Sequence, residues 1–209
     1  MRVISVVGFL GSGKTTTIAA LARHLTSQHQ RVAFLINDIG EVQIDGAIIR
    51  AGGHEVVEIY GGCLCLMRDD LYVGLADLAQ IPDLKWVIIE PSGMADAERL
   101  SRLLECFPRV IDAQTAARYR LQCRLSIVDA ARYRLLMRSV PQLVRSSIRI
   151  ADVVLLNKMD VARESDLPAI EAEVRKLMRR GSVLNRVSAR EGLQANILQD
   201  VLADRLASV

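Results

Sequence analysis

Aromatic residues make up only 4% of the chain, with a single Trp, so it lacks the ring platforms on which single-strand nucleic-acid binders stack bases. Neither sign of charge dominates. The net charge of +3 is too small to hold a polyanion at physiological salt, and no nucleic-acid partner is expected. No apolar run approaches the roughly 20 residues that span a bilayer. The N-terminal "VISVVGFL" is short and runs straight into a glycine loop, so neither a leader nor a membrane anchor is expected and the protein is read as cytoplasmic. There are four cysteines, too few to be needed as a framework in a chain of this size, so the thiols are expected to be reduced and available to metal. Internal repeats, low-complexity tracts and Pro/Gly/Ser linkers are lacking too, which leaves residues 1–209 as one expected domain.

What is present is apolar and regularly interrupted. The apolar share of 51% against 24% charged residues can support a buried core. Val- and Ile-rich runs at 2–8, 31–37, 85–90, 125–129, 152–157 and 182–188 read as strands whose continuous hydrophobicity requires cover on both faces. Helical periodicity falls between them at 14–28, 68–79, 95–106, 130–149 with a break at Pro141, 166–179 and 193–206. This alternation predicts an α/β three-layer sandwich, a mostly parallel sheet with helices on both faces. The stretch 38–62, with six glycines and the patch "EVVEI", reads as irregular chain carrying a small strand or hairpin.

"GFLGSGKT", Gly8 to Thr15, matches G-x-x-x-x-G-K-[ST] at every fixed position, directly after a strand and at the start of a helix. Gly8, Gly11, Ser12 and Gly13 offer main-chain N–H groups to phosphate oxygens. Lys14 offers its charge to the outer phosphates, Thr15 its hydroxyl to Mg2+, and Thr16 follows. This is a P-loop, and a nucleoside triphosphate is expected there. "LLNKMD" ends the fifth strand with Asn157, Lys158 and Asp160. A carboxylate there can accept both hydrogen bonds from the N1–H and 2-amino edge of guanine, a donor pair that adenine lacks. Lys158 is expected along the ring face, and Asn157 is expected to tie this loop to the phosphate loop. Ser188 and Ala189 in "VSAREG" supply the facing loop, with the Ala189 N–H directed at the guanine carbonyl. GTP or GDP is thus expected rather than ATP.

Glu90 in "VIIEPSG" stands where P-loop proteins keep an acid for magnesium or its water, and the N–H of Gly93 can sense the γ-phosphate. Asp38 in "INDIGEVQID" is a second carboxylate beside the same phosphates. Thr15 and Glu90 are expected to hold Mg2+ directly or through water, with Asp38 orienting the attacking water or completing the magnesium shell. Lys14, Asp38 and Glu90 are therefore the candidate catalytic residues.

In "GGCLCLMRDD", Cys63 and Cys65 lie one residue apart. They read as ligands of a transition metal, as a redox pair, or as two small residues in a tight turn. Two thiolates leave a tetrahedral site half filled, so a two-fold dimer pairing two such motifs is one way to complete it; Glu41, His54, Glu58 or a client's thiols are others. Cys106 and Cys123 are expected in the core, and His24 and His29 at the surface. Arg118, Arg120, Arg124, Arg132, Arg134, Arg138, Arg145 and Arg149 read either as a docking face for an acidic partner or as solvated helix surface.

Taken in order, "GFLGSGKTT", "NDIGEVQIDG", "GGCLCLMRDDL", "EPSGMAD", "SIVDA" and "LLNKMD" resemble the metallochaperone-type P-loop GTPases, the CobW/HypB/UreG type, and most closely the CobW-like branch. The resemblance implies slow GTP hydrolysis that switches conformation or dimerisation. It also implies coupling to the binding of Zn2+, Ni2+ or Co2+ and delivery to a client apo-metalloenzyme, with a homodimer in the GTP state. A regulatory switch that docks on a cofactor-dependent enzyme without metal cargo is the alternative. The last Cys of the branch's Cys-x-Cys-Cys is Leu66 here, and the branch's C-terminal domain is not expected in a chain of this length.

Overall fold

A computed structural model of the chain describes residues 1–37, 55–58 and 64–203. Strands β1 (Arg2–Val7), β2 (Arg31–Ile36), β3 (Glu55–Glu58), β4 (Leu84–Glu90), β5 (Arg120–Asp129), β6 (Val153–Asn157) and β7 (Val183–Arg186) form one sheet in the order β3-β2-β4-β1-β5-β6-β7. Every adjacent pair is parallel. The helices are α1 (Lys14–Ser27), α2 (Arg68–Gln80), α3 (Ala97–Val110), α4 (Ala113–Arg118), α5 (Tyr133–Ser139), α6 (Pro141–Ile150), α7 (Leu167–Leu177) and α8 (Ala195–Leu202).

Alternate strand residues point to opposite faces, and both sets are apolar, so the sheet must be covered twice. Ile4, Val6, Phe34, Ile88, Leu125 and Leu155 pack under Ile18 and Leu21 of α1 and Ile197 and Val201 of α8. On the other face Val3, Leu35, Val87 and Ile89 meet Leu71 and Leu75 of α2 and Leu100, Leu104 and Phe107 of α3. Val154 and Leu156 meet α5, α6 and α7 through Tyr133, Ile148 and Val174. The expected three-layer sandwich is the one observed. No helix among the described residues is long and apolar enough to cross a membrane.

The differences from the sequence reading have local causes. Pro141 breaks 130–149 as expected, and it opens α6 at a position where its missing N–H costs nothing. The patch in "EVVEI" is β3, an edge strand paired with β2. Helix α3 runs to Val110, past Pro108. Helix α4, capped by Asp112 accepting the Thr115 N–H at 2.9 Å, is too short to show a periodicity. Cys123 is buried, but Cys106 is exposed, contrary to its expected core position.

The largest difference is β5, which begins at Arg120 and not at 125. Its first half carries Gln122 and Arg124, residues that argue against a central strand, yet both are buried. Arg124 is tolerated because its side-chain hydrogen bonds are met. Nε donates to Asp152 Oδ2 at 3.0 Å, Nη2 to Asp152 Oδ1 at 3.2 Å and Nη1 to Ser101 Oγ at 3.3 Å, with Glu105 completing the cage. Arg124 therefore leaves the basic surface to which the sequence assigned it. Asp152→Ala should cost about 3 kcal/mol, because it strands a buried guanidinium. Urea unfolding measures this; a loss under about 1 kcal/mol would mean that Glu105 alone satisfies the charge.

Candidate functional site

Strand β1 lies between β4 and β5, so the chain winds outward from it in both directions, and the carboxyl ends of β2, β4, β1, β5 and β6 open onto one crevice. A cleft of about 540 Å³ lies there, lined by the phosphate loop, Asn37, Glu90 to Gly93, Asn157, Lys158, Asp160 and Ala189. Most of the residues singled out by sequence thus converge, although they come from the ends of β1, β4 and β6 and the loop after β7.

The phosphate loop is set by its glycines. Gly13, the N-cap of α1, has φ 100°, and a Cβ there would overlap Asn157 Nδ2. No side chain caps this helix, so its first N–H groups face the cleft, as an anion requires. Gly93 touches the same loop from the β4 side: a Cβ on it would lie 2.6 Å from the Leu10 nitrogen. Any side chain at 93 would push the two loops apart.

Lys14 is buried with Nζ 4.0 Å from Glu90 Oε1, and the Thr15 hydroxyl donates to the same oxygen at 3.2 Å. The Thr15 hydrogen is thus directed at Glu90, leaving the oxygen's lone pairs for a cation. The hydroxyls of Ser12 and Ser92 are buried beside the cleft without a hydrogen-bond partner among the described residues. Buried polar atoms of that kind fit a polar ligand. The oxygen pair at Thr15 and Glu90 suits a hard cation such as Mg2+. Asp38 lies outside the described residues.

On the other wall, Asn157 is buried and donates Nδ2 to the Ser12 carbonyl at 2.8 Å while its Oδ1 accepts the Ala189 N–H at 2.9 Å. The expected tie to the phosphate loop is therefore made. The Ala189 N–H, expected to face the guanine carbonyl, is engaged by Asn157. The Asp160 N–H donates to Ser188 Oγ at 3.1 Å, and its side chain stands exposed on the cleft wall. Lys158 has a left-handed φ of 66°, and its Nζ lies 2.8 Å from Asp129 Oδ2. Its ammonium is anchored at the strand end.

Asp129 and Asn37 were not among the sequence candidates. Each is a polar residue closing an apolar strand, and that was the signal to read. Asp129 also accepts Arg132 Nε at 2.7 Å. Burial opposes its charge, but hydrogen bonds from Lys158 and Arg132 outweigh it and hold its carboxyl below the ordinary 3.8. Asn37, also buried, donates its N–H to the Glu90 carbonyl at 2.9 Å and accepts the Leu64 N–H at 2.8 Å.

That second bond fixes the chain next to Cys65, which is buried among the residues under α2. Cys63, Glu41 and His54 lie outside the described residues. Among the described residues no three His, Cys, Asp or Glu side chains gather to hold a metal.

Because the Asp129 carboxyl is depressed in the fold, its stabilisation is fully present above pH 3.8 and is lost as pH falls through the lower folded value. Comparing urea unfolding at neutral and acid pH, Asp129→Asn should lack this part of the wild-type loss. An identical acid loss in both proteins would contradict it.

Residues 2–185 match the CobW/HypB/UreG nucleotide-binding domain. The zinc chaperone YeiR of Escherichia coli is 33% identical over 163 residues, covering 74% of this chain and 45% of that protein. The zinc-regulated GTPase metalloprotein activator 1 of Dictyostelium discoideum is 29% identical over 203 residues, covering 81% and 42%. The chain thus spans about half the length of the curated relatives it matches. The hydrogenase maturation factor HypB of Archaeoglobus fulgidus superposes with a TM-score of 0.64 at 18% identity, covering 92% of this chain and 83% of that one. The cell division protein FtsY of Thermotoga maritima does so with 0.61 at 17%, covering 97% and 68%. With the phosphate loop, the base loop and their joining amide all in place, this chain belongs to the CobW/HypB/UreG nucleotide-binding domain family.

Proposed function

We propose that the chain binds GTP with Mg2+, hydrolyses it slowly, and couples the nucleotide state to taking up a transition metal, Zn2+, Ni2+ or Co2+, for delivery to a client metalloenzyme. The observation that carries the nucleotide part is that one cleft has the phosphate loop on one wall and Asp160 on the other, bridged by Asn157. Loop amides and Lys14 take the phosphates, and Asp160 takes the guanine edge. Thr15 would ligate Mg2+, whose charge would neutralise the outer phosphates, and Glu90 would act through the Thr15 hydroxyl, a reading supported by the bond between them. Asp38 is the candidate for orienting the attacking water, and the Gly93 N–H for contacting the γ-phosphate.

Asp160→Asn offers one donor and one acceptor where guanine needs two acceptors. GTP affinity should fall about 100-fold or more, while xanthosine triphosphate, whose edge presents a donor and an acceptor, should gain. Calorimetric titration measures both. Unchanged GTP affinity would remove Asp160 from base recognition.

The metal part is supported by the names of the relatives, a zinc chaperone and a zinc-regulated activator, and by the Cys63-x-Cys65 motif, whose middle residue Leu64 is held by Asn37. A homodimer in the GTP state would supply four thiolates. The burial of Cys65 favours a second reading, a nucleotide-controlled switch that docks on a client without cargo. Zinc analysis of reduced protein with a GTP analogue and Mg2+ separates them. Metal delivery predicts about one zinc per dimer, lost in Cys65→Ser; equal zinc in both proteins, or none in either, favours the switch.

A further inference from the structure

The phosphate loop is held from outside at two carbonyls, and only one of the holders belongs to a nucleotide-binding motif. Asn157 Nδ2 binds the Ser12 carbonyl at 2.8 Å. Two residues earlier, Arg132 Nη2 binds the Leu10 carbonyl at 2.8 Å. A trans peptide directs its C=O and the following N–H to opposite sides. Holding the Leu10 carbonyl outward on Arg132 therefore turns the Gly11 N–H the other way, toward the cleft that Gly11 lines. Holding the Ser12 carbonyl on Asn157 does the same for the Gly13 N–H.

Arg132 is itself fixed. Its Nε donates to Asp129 Oδ2 at 2.7 Å and its main-chain N–H to Oδ1 at 3.0 Å. Asp129 is fully buried at the end of β5, opposite Asn157 in the sheet register. The same carboxylate oxygen receives Lys158 Nζ at 2.8 Å. The left-handed backbone of Lys158, unfavourable for a residue with a Cβ, is further held by N–H groups of Val161 and Ala162 on its carbonyl at 3.2 and 3.0 Å. One buried carboxylate thus anchors the base loop through a lysine and the phosphate loop through an arginine.

Resting on the nucleotide reading above, we propose that Arg132, clamped by Asp129, is a positioning residue that orients the Gly11 N–H toward the nucleotide phosphates. Asp129 sets this orientation and the posture of Lys158 together. A lysine at 132 keeps the charge but not the fork that spans Asp129 and Leu10 at once.

The test is calorimetric titration of the intact chain with GDP and with ADP, in the presence of Mg2+, on wild type, Arg132→Gln, Arg132→Lys and Asp129→Asn. Arg132→Gln should weaken both nucleotides by a common factor of about tenfold, leaving the guanine preference unchanged, because only phosphate binding is disturbed. Arg132→Lys should not restore affinity. Asp129→Asn should lose affinity and also narrow the preference, because Lys158 is released as well. Far-UV circular dichroism and melting of the partly exposed Arg132 variants keep folding separate from binding. Arg132→Gln binding GDP within about twofold of wild type would overturn the role, as would a rescue by Arg132→Lys. Wild type binding neither nucleotide would remove the nucleotide reading itself and this role with it, an outcome distinct from normal wild-type binding with an unimpaired variant.

Discussion

One buried side-chain amide carries the geometry of the cleft. Asn157 faces Ser12 with its nitrogen and Ala189 with its oxygen, so three loops from distant parts of the chain are spaced by one planar group. An amide suits this place because it is donor and acceptor at once and brings no charge into a buried position. Were the spacing loose, the phosphate site and the base site would not share one ligand. Gly13 is part of the same constraint, since any side chain there would occupy the volume of the Asn157 amide.

A similar economy runs along the other side of the cleft. Asn37 joins the end of β2 to the Glu90 carbonyl and to the Leu64 N–H, while the Glu90 side chain meets Thr15 and Lys14. Groups that would meet the γ-phosphate and its cation are thus three contacts away from the chain carrying Cys65. A change at Thr15 or Glu90 has a packed route to that segment, because Leu64 and Cys65 are part of the core under α2. The nucleotide and the thiol motif share supports, which coupling between them requires.

Much of this was legible in the sequence, and what was not has physical reasons. Most strands could be read because they are continuously apolar, and the phosphate and base loops because each uses fixed residue types at fixed spacing. The first half of β5 could not, because Arg124 looks like surface until Asp152 and Glu105 are known to surround it. Asp129 and Arg132 were hidden for a related reason. A strand-end aspartate and a helix-start arginine are common, and only the fold brings Lys158 and the Leu10 carbonyl to them. The Ala189 N–H was assigned to the base from its loop alone, without the Asn157 oxygen that takes it.

The central claim is that one guanine nucleotide spans both walls of the cleft. Amide hydrogen exchange with saturating GDP, and separately with inorganic triphosphate, measures this wall by wall. The account predicts that GDP slows exchange in both the Gly11–Thr15 loop and the loops of Asp160 and Ala189, whereas triphosphate slows the first alone. Protection by GDP confined to the phosphate loop, or lacking from both walls, would contradict it.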